Sequence, residues 1–226
     1  MKKGTKTRKR ILTEGRELMN QHGHSITLAV LGSKMGVTIG QITYHFRNKD
    51  HLIVGIADEF QERLAKLIKA HGDELRHLEN YYRFLDELLD VQYDYRCAVR
   101  YIFSSSPEQL ALSDHIRENH TKSRISISER LRMLVNNGDL EPSILERENL
   151  DIFLFQYTGL LTVWVNNLEI YGGQKSYKEL KPIYIRGIMD LFMPHATLAG
   201  KEKLDATKPD IYEKAIQQHD NHSDEK

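Results

Sequence analysis

One stretch, residues 27–52 (TLAVLGSKMGVTIGQITYHFRNKDHL), restricts the folds open to this chain more than any other. Its apolar residues recur at helical spacing on either side of a glycine. Leu31 and Met35, four apart, give a first short helix over 28–35 one inward face. Thr27 stands where an N-cap is wanted, its hydroxyl accepting from a free helix N–H. Gly36 follows the last apolar position and can take the left-handed conformation of a tight turn. Val37 is expected to point back into the core. Thr38 is a second N-cap, and 39–44 forms a second helix anchored by Ile42. Gly32 is the small residue that lets the two helices cross closely. This spacing is the helix-turn-helix pattern.

The outward residues of the second helix are Thr38, Ile39, Gln41, Thr43 and Tyr44. Its first N–H groups are expected to be uncovered, which suits a phosphate. Gln41 has the amide needed for a paired hydrogen bond to an adenine edge, and Thr43 suits a thymine methyl or a phosphate. Gly40 costs about 1 kcal/mol relative to alanine inside a helix. It either lets backbone approach DNA or marks a frayed turn. Tyr44, His45 and Lys49 fit a cluster that grips the sugar–phosphate backbone and positions the helix. Thr27 and, from a basic arm over 2–10, Lys6 and Arg8 complete the candidate DNA-binding set. That arm is expected to be disordered until it meets phosphates or a minor groove.

The run G-V-T-x-G-x-I-x-Y-H-F-x-N-K-x-x-L from Gly36 to Leu52 resembles the DNA-binding domain of the TetR family of transcriptional regulators. Upstream, Arg8, Ile11 and Leu12 on to Gly23 fit that family's first helix, so the resemblance covers roughly residues 6–56. Departures exist. Thr43 stands where the family usually has tyrosine, and Gly15 and Gly32 fill small alanine positions. The resemblance implies an all-α chain with a helix-turn-helix DNA-binding domain over 1–50. It further implies a helical ligand-binding and dimerisation domain over 51–194, leaving a polar, mobile tail over 195–226. It implies a sequence-specific transcriptional regulator, most simply a ligand-released repressor. An activator or a ligand-independent regulator of the same fold is the alternative, as is a helical protein-interaction module without DNA binding. Implied partners are a palindromic double-stranded operator, a second copy of the chain, and a small apolar or aromatic effector. In that family the fourth helix carries ligand-driven movement to the DNA-binding heads.

Charge supports the division. The chain has 32 Lys+Arg and 32 Asp+Glu, yet residues 1–50 carry a net +7 and the remainder −7. A helical protein-interaction module would not need a basic head. Enzyme signatures are lacking: no glycine-rich phosphate loop, no H-E-x-x-H, no paired cysteines and no G-x-S-x-G elbow. No catalytic residue, cofactor or metal is expected. The single cysteine, Cys97, excludes an internal disulfide and fits a reducing, cytoplasmic setting. The N-terminus lacks an apolar segment, and the most apolar run, 152–165, is broken by Gln156, Thr158 and Thr162, so no membrane partner is expected.

Taken in order, helices are expected over 8–22, 28–35, 39–44, 50–70 (capped by Asn48) and 79–103. One bent or two short helices then fill 107–136, and two long ones span 142–171 and 176–193. A short helix is expected over 209–218. Tyr93, Cys97, Arg100, Tyr101, Phe153, Gln156, Tyr157 and Trp164 are candidates to line an effector pocket, although each aromatic also fits an ordinary core. The helix over 142–171 is apolar on nearly all sides, so one side must meet another surface. Leu161, Val165, Leu168, Tyr184, Ile188 and Leu191 are the candidate dimer contacts. Cys97, flanked by Arg96 and Arg100, is either an oxidant-sensitive thiol of lowered pKa or a buried inert one. His22 with His24, and His219 with Asp220 and His222, are candidate metal pairs, or else surface and tail residues.

Overall fold

The computed structural model describes residues 3–104 and 113–207. Among them the chain forms ten α-helices joined by short 3-10 turns, and the only strand-like pairing is an isolated bridge between Leu140 and Ala196. The chain divides into two compact units. Residues 1–67 and 90–117 make the first; 68–89 and 118–226 make the second.

The first unit holds α1 (Lys3–His22), α2 (Leu28–Met35), α3 (Ile39–His45), most of α4 (Lys49–Ala70) and α6 (Arg96–Ser104). Its core is Ile11, Leu12, Met19, Leu31, Ile42, Phe46, Leu52, Ile53 and Ile56, each at most 3% exposed. Asn48 caps α4 as expected, its Oδ1 accepting from the His51 N–H. The arm does not wait for a partner. Residues from Lys3 onward already belong to α1, because nothing between Lys3 and Arg10 breaks a helix that the Ile11–Met19 stripe anchors.

One further expectation changes here. The helix over 79–103 is broken: α5 (Tyr81–Asp94) stops one residue before α6. Tyr95 sits at the break, its ring 5.5 Å from Phe60 and 4.5 Å beneath the Arg16 guanidinium. Asn20 closes the joint, donating to the Asp94 carbonyl and accepting from the Cys97 N–H, both within 2.9 Å. Beyond the break, α6 packs behind α1 in the first unit.

The second unit contains the start of α5, α7 (Ser113–Asn136), α8 (Arg147–Tyr171), α9 (Tyr177–Met189) and α10 (Leu198–Ala206). The helix expected to run to 193 ends at Met189, and a 3-10 turn over Asp190–His195 follows. Pro194 has no N–H for the Asp190 carbonyl, so an α-helix cannot continue there. Within the expected tail, residues 195–207 are described and carry α10 (Leu198–Ala206). Thr197 caps α10, and Gly200 lets α10 lie against the Asp139 carbonyl, where an added Cβ would come within 2.0 Å. Residues 209–218 and the His219, Asp220, His222 group lie outside the described residues.

Candidate nucleic-acid interface and second-unit cluster

The turn between α2 and α3 is built as its residue types require. Thr27 Oγ1 accepts from the Val30 N–H, and Gly36 has φ +64°. The Gly36 N–H reaches the Ser33 carbonyl and the Val37 N–H the Gly32 carbonyl, a Schellman closure. Gly32 admits no Cβ, which would stand 2.7 Å from the Val37 carbonyl oxygen. Val37 is half-buried, and Ile42 is fully enclosed.

The N-terminus of α3 is not uncovered. Thr38 and Gln41 form a capping box: Thr38 Oγ1 accepts from the Gln41 N–H at 3.1 Å, and Gln41 Oε1 accepts from the Thr38 N–H at 2.8 Å. Gln41 thus holds its own helix in the free protein while its Nε2 amide remains available. Thr38, Ile39, Gly40, Gln41, Thr43 and Tyr44 share one exposed face, with Tyr44 83% and Ile39 49% exposed. The Thr43 hydroxyl donates to the Ile39 carbonyl at 3.1 Å, leaving its oxygen lone pairs and methyl group for any partner. His45 is half-buried with its ring 4.9 Å from that of Tyr44. Lys6, Arg8 and Thr27 are exposed, and the Arg8 guanidinium lies 5.0 Å over the Phe46 ring. Lys49 differs from expectation. Its Nζ donates to the His24 carbonyl, so it ties the α1–α2 loop to α4. Arg10, absent from the sequence candidates, donates to the Met35 carbonyl at 2.6 Å and to Glu14, pinning the end of α2 to α1. Exposed Arg47 was also missed. Both arginines lie in the positively charged run that marked the head.

The effector-pocket candidates are shared between the two units. Tyr93, Cys97, Arg100 and Tyr101 belong to the first unit. Tyr101 donates to Asp50, and Cys97 is enclosed, its thiol pushed up to about 11 by burial. That settles Cys97 as the inert alternative. His24 is no surface residue either. Its ring is 5.5 Å from Tyr101, and burial with the Arg100 and Lys49 cations pushes its pKa down. His22 is exposed.

Phe153 and Tyr157 lie in an aromatic cluster of the second unit with Tyr81, Phe84 and Phe192. Ring separations there run from 5.1 Å for Phe153–Phe192 to 6.3 Å for Tyr81–Phe84. Trp164 packs instead between Tyr177 and Tyr184, and Gln156 is exposed. Arg130 reaches the cluster, its guanidinium 5.8 Å over Phe84. The sequence carried a signal for it, a charge at helical spacing beside buried Ile127, Leu131 and Leu134.

His77, Glu79 and Asp139 gather ligand atoms within 4.8 Å of one another. A cation already serves these carboxylates: Lys203 Nζ lies 2.7 Å from Asp139 and 3.1 Å from Glu79. Buried Asp139 also accepts from the Leu78 N–H.

Two of the dimer candidates are in the wrong place. Val165 and Ile188 are enclosed within a single chain, at 0% and 1% exposure, and cannot meet a second copy. Leu161, Leu168, Tyr184 and Leu191 are half-buried. The uncovered apolar residues are Ile152, Phe155, Ile170 and Tyr171 on α8 and Ile183 on α9. Because α8 is apolar nearly all round, its sequence gave no phase for the outer side.

A family model described as TetR, bacterial transcriptional repressor, matches residues 59–204. The chain belongs to the TetR family. The match begins after the helix-turn-helix and rests on the body of the chain. The HTH-type transcriptional regulator UidR of Escherichia coli K12 is 22% identical over 139 residues, which is 61% of this chain and 71% of that protein. The crystal structure of a TetR-family regulator from Marinobacter aquaeolei VT8 superposes with a TM-score of 0.71 at 23% identity, over 93% of this chain and 99% of that one. A γ-butyrolactone receptor described as ArpA-like aligns at TM-score 0.66 and 18% identity, over 93% and 98%. A SmeT–triclosan complex aligns at 0.58 and 16%, over 85% and 92%. The all-α, two-part architecture is that of the family, and the chain is a helix-turn-helix transcriptional regulator and not an enzyme. TetR-family regulators bind DNA as dimers and respond to small-molecule effectors. No helix among the described residues is long and apolar enough to cross a membrane.

Proposed function

We propose that this TetR-family protein is a repressor that binds a palindromic operator as a homodimer and lets go when a small apolar or aromatic molecule occupies its second unit. The observation that carries this reading is the exposed face of α3, where Tyr44, Ile39 and Gln41 stand on a head of net charge +7. In this reading Thr38, Ile39, Gly40, Gln41, Thr43 and Tyr44 enter the major groove. Lys6, Arg8, Thr27 and His45 meet phosphates, and Lys49 holds the loop behind them. A two-fold site needs a two-fold protein. The second copy packs on Ile152, Phe155, Ile170 and Ile183, which a lone chain leaves in water. Effectors named for the relatives, a γ-butyrolactone and triclosan, support a lipophilic ligand class for this chain. Release is a population shift, and a coupling of about 1–3 kcal/mol changes DNA affinity roughly 5- to 150-fold.

The test is fluorescence anisotropy on the intergenic duplex beside the coding gene, titrated with salt. Sequence-selective binding with a steep salt dependence is expected. A Phe155→Glu, Ile183→Lys variant should stay folded, run as a monomer at micromolar concentration and lose that binding. Absence of any selective shift at moderate salt, or full binding by a monomer, refutes the reading.

A further inference from the structure

Arg130 brings a half-buried guanidinium to the aromatic cluster of the second unit. Among the described residues its Nη1 is enclosed and has no hydrogen-bond acceptor. A guanidinium is charged at every physiological pH, and its N–H groups match a carboxylate in geometry. Buried polar groups are almost always satisfied, so an orphan inside a native core calls for a specific partner. Around Arg130 the chemistry is selective. Phe84 lies beneath the guanidinium, and its ring belongs to the cluster with Tyr81, Phe153, Tyr157 and Phe192. Burial pushes the phenols of Tyr81 and Tyr157 up, Tyr157 to about 12, and the Arg130 charge acts on both against that push. Both therefore remain neutral O–H donors beside a fixed cation.

We infer that Arg130 is the anchor for an organic anion, and that the effector is a lipophilic or aromatic monocarboxylate whose acid group meets Arg130 while its apolar part replaces contacts among the rings. This rests on the proposed ligand release and deepens it. Arg130 repels a cationic ligand, and a neutral carbonyl meets the orphan N–H without the charge or the second oxygen of a carboxylate, so it binds far more weakly.

Full-length protein is tested by thermal shift with benzoate, phenylacetate and octanoate, each beside its amide. Arg130→Met keeps the volume without the charge, and Arg130→Lys keeps the charge without the fork. At least one acid should raise the wild-type Tm by a few degrees, as binding to the folded state alone does. Its amide should not, Arg130→Met should lose the response, and Arg130→Lys should weaken affinity at least ~10-fold. Unliganded Arg130→Met should melt close to wild type, since the enclosed, unanswered N–H goes with the group while the apolar stem is kept. The inference is overturned if no acid moves Tm, if Arg130→Met responds like wild type, or if unliganded Arg130→Met melts well below it. DNA binding read in parallel separates the two proposals. An acid that binds through Arg130 without weakening DNA affinity sinks ligand release alone. A neutral compound that releases DNA equally from wild type and Arg130→Met sinks the anion site alone.

Discussion

Gln41→Glu separates holding the recognition helix from reading DNA with it. Gln41 Oε1 accepts from the Thr38 N–H at 2.8 Å, and a glutamate oxygen can take the same place. The new charge lies in the first turn of α3, where the helix dipole favours an anion by about 0.3–1 kcal/mol. Stability should therefore be unchanged or higher by that amount. DNA affinity should collapse. The substitution deletes the Nε2 donor, and a paired contact to a base is worth about 1–3 kcal/mol. Used twice in a dimer, the loss is about 2–6 kcal/mol, roughly 30-fold to 20,000-fold. Repulsion from phosphates adds to it. Thermal unfolding gives the first quantity, and anisotropy on the intergenic duplex at fixed salt gives the second. Affinity within about threefold of wild type would show that Gln41 does not face DNA. A fall in stability beyond about 1 kcal/mol would show that the capping box is not made.

Three further outcomes are expected. Gly40→Ala has open space for its Cβ, with only Thr38 Oγ1 at 3.8 Å, so the head should gain up to about 1 kcal/mol; weaker DNA binding by this better-folded variant would mean that backbone comes close to the duplex at Gly40. Asp139→Ala orphans the Leu78 N–H and strips Lys203 of its nearest carboxylate, which should cost about 2–4 kcal/mol in urea titration; a loss under 1 kcal/mol would refute the role given to this carboxylate. His24 is held below its ordinary pKa, so the unfolded chain takes up its proton first as pH falls. Stability carried by neutral His24 is complete well above pH 6.5 and drains as pH drops through that value towards the lower folded pKa. His24→Asn should flatten the Tm profile between about pH 5 and 7 relative to wild type; superimposable slopes would refute this.

The parts of the fold legible in sequence are those fixed by neighbours along the chain. Thr27, Gly36, Thr38, Ile42 and Asn48 each act within a few residues, and each stands where its type placed it. Thr38-x-x-Gln41 was equally local. Thr38 reads as the cap, but Gln41 reads as a base-contacting amide alone, which leaves its own bond to the Thr38 N–H out of the sequence reading. What failed depends on contacts distant in sequence. No proline or glycine marks the break at Tyr95, because α1 and Phe60 stabilise it from elsewhere. The outer side of α8 is Phe155 and not Val165, a choice made by packing within the second unit. Arg130 looked like one charge among many until its surroundings turned out to be rings.

Asn20 carries a mechanical consequence. One amide seals both backbone ends left open where α5 gives way to α6. The angle at that elbow cannot change without unsealing them, or without dragging the last turns of α1 along. Torque on α6 is thus delivered to the helix behind the reading head partly through this hinge pin, and shortening it to alanine would leave only the Arg16–Tyr95 and Arg100–Asn20 carbonyl contacts to carry it.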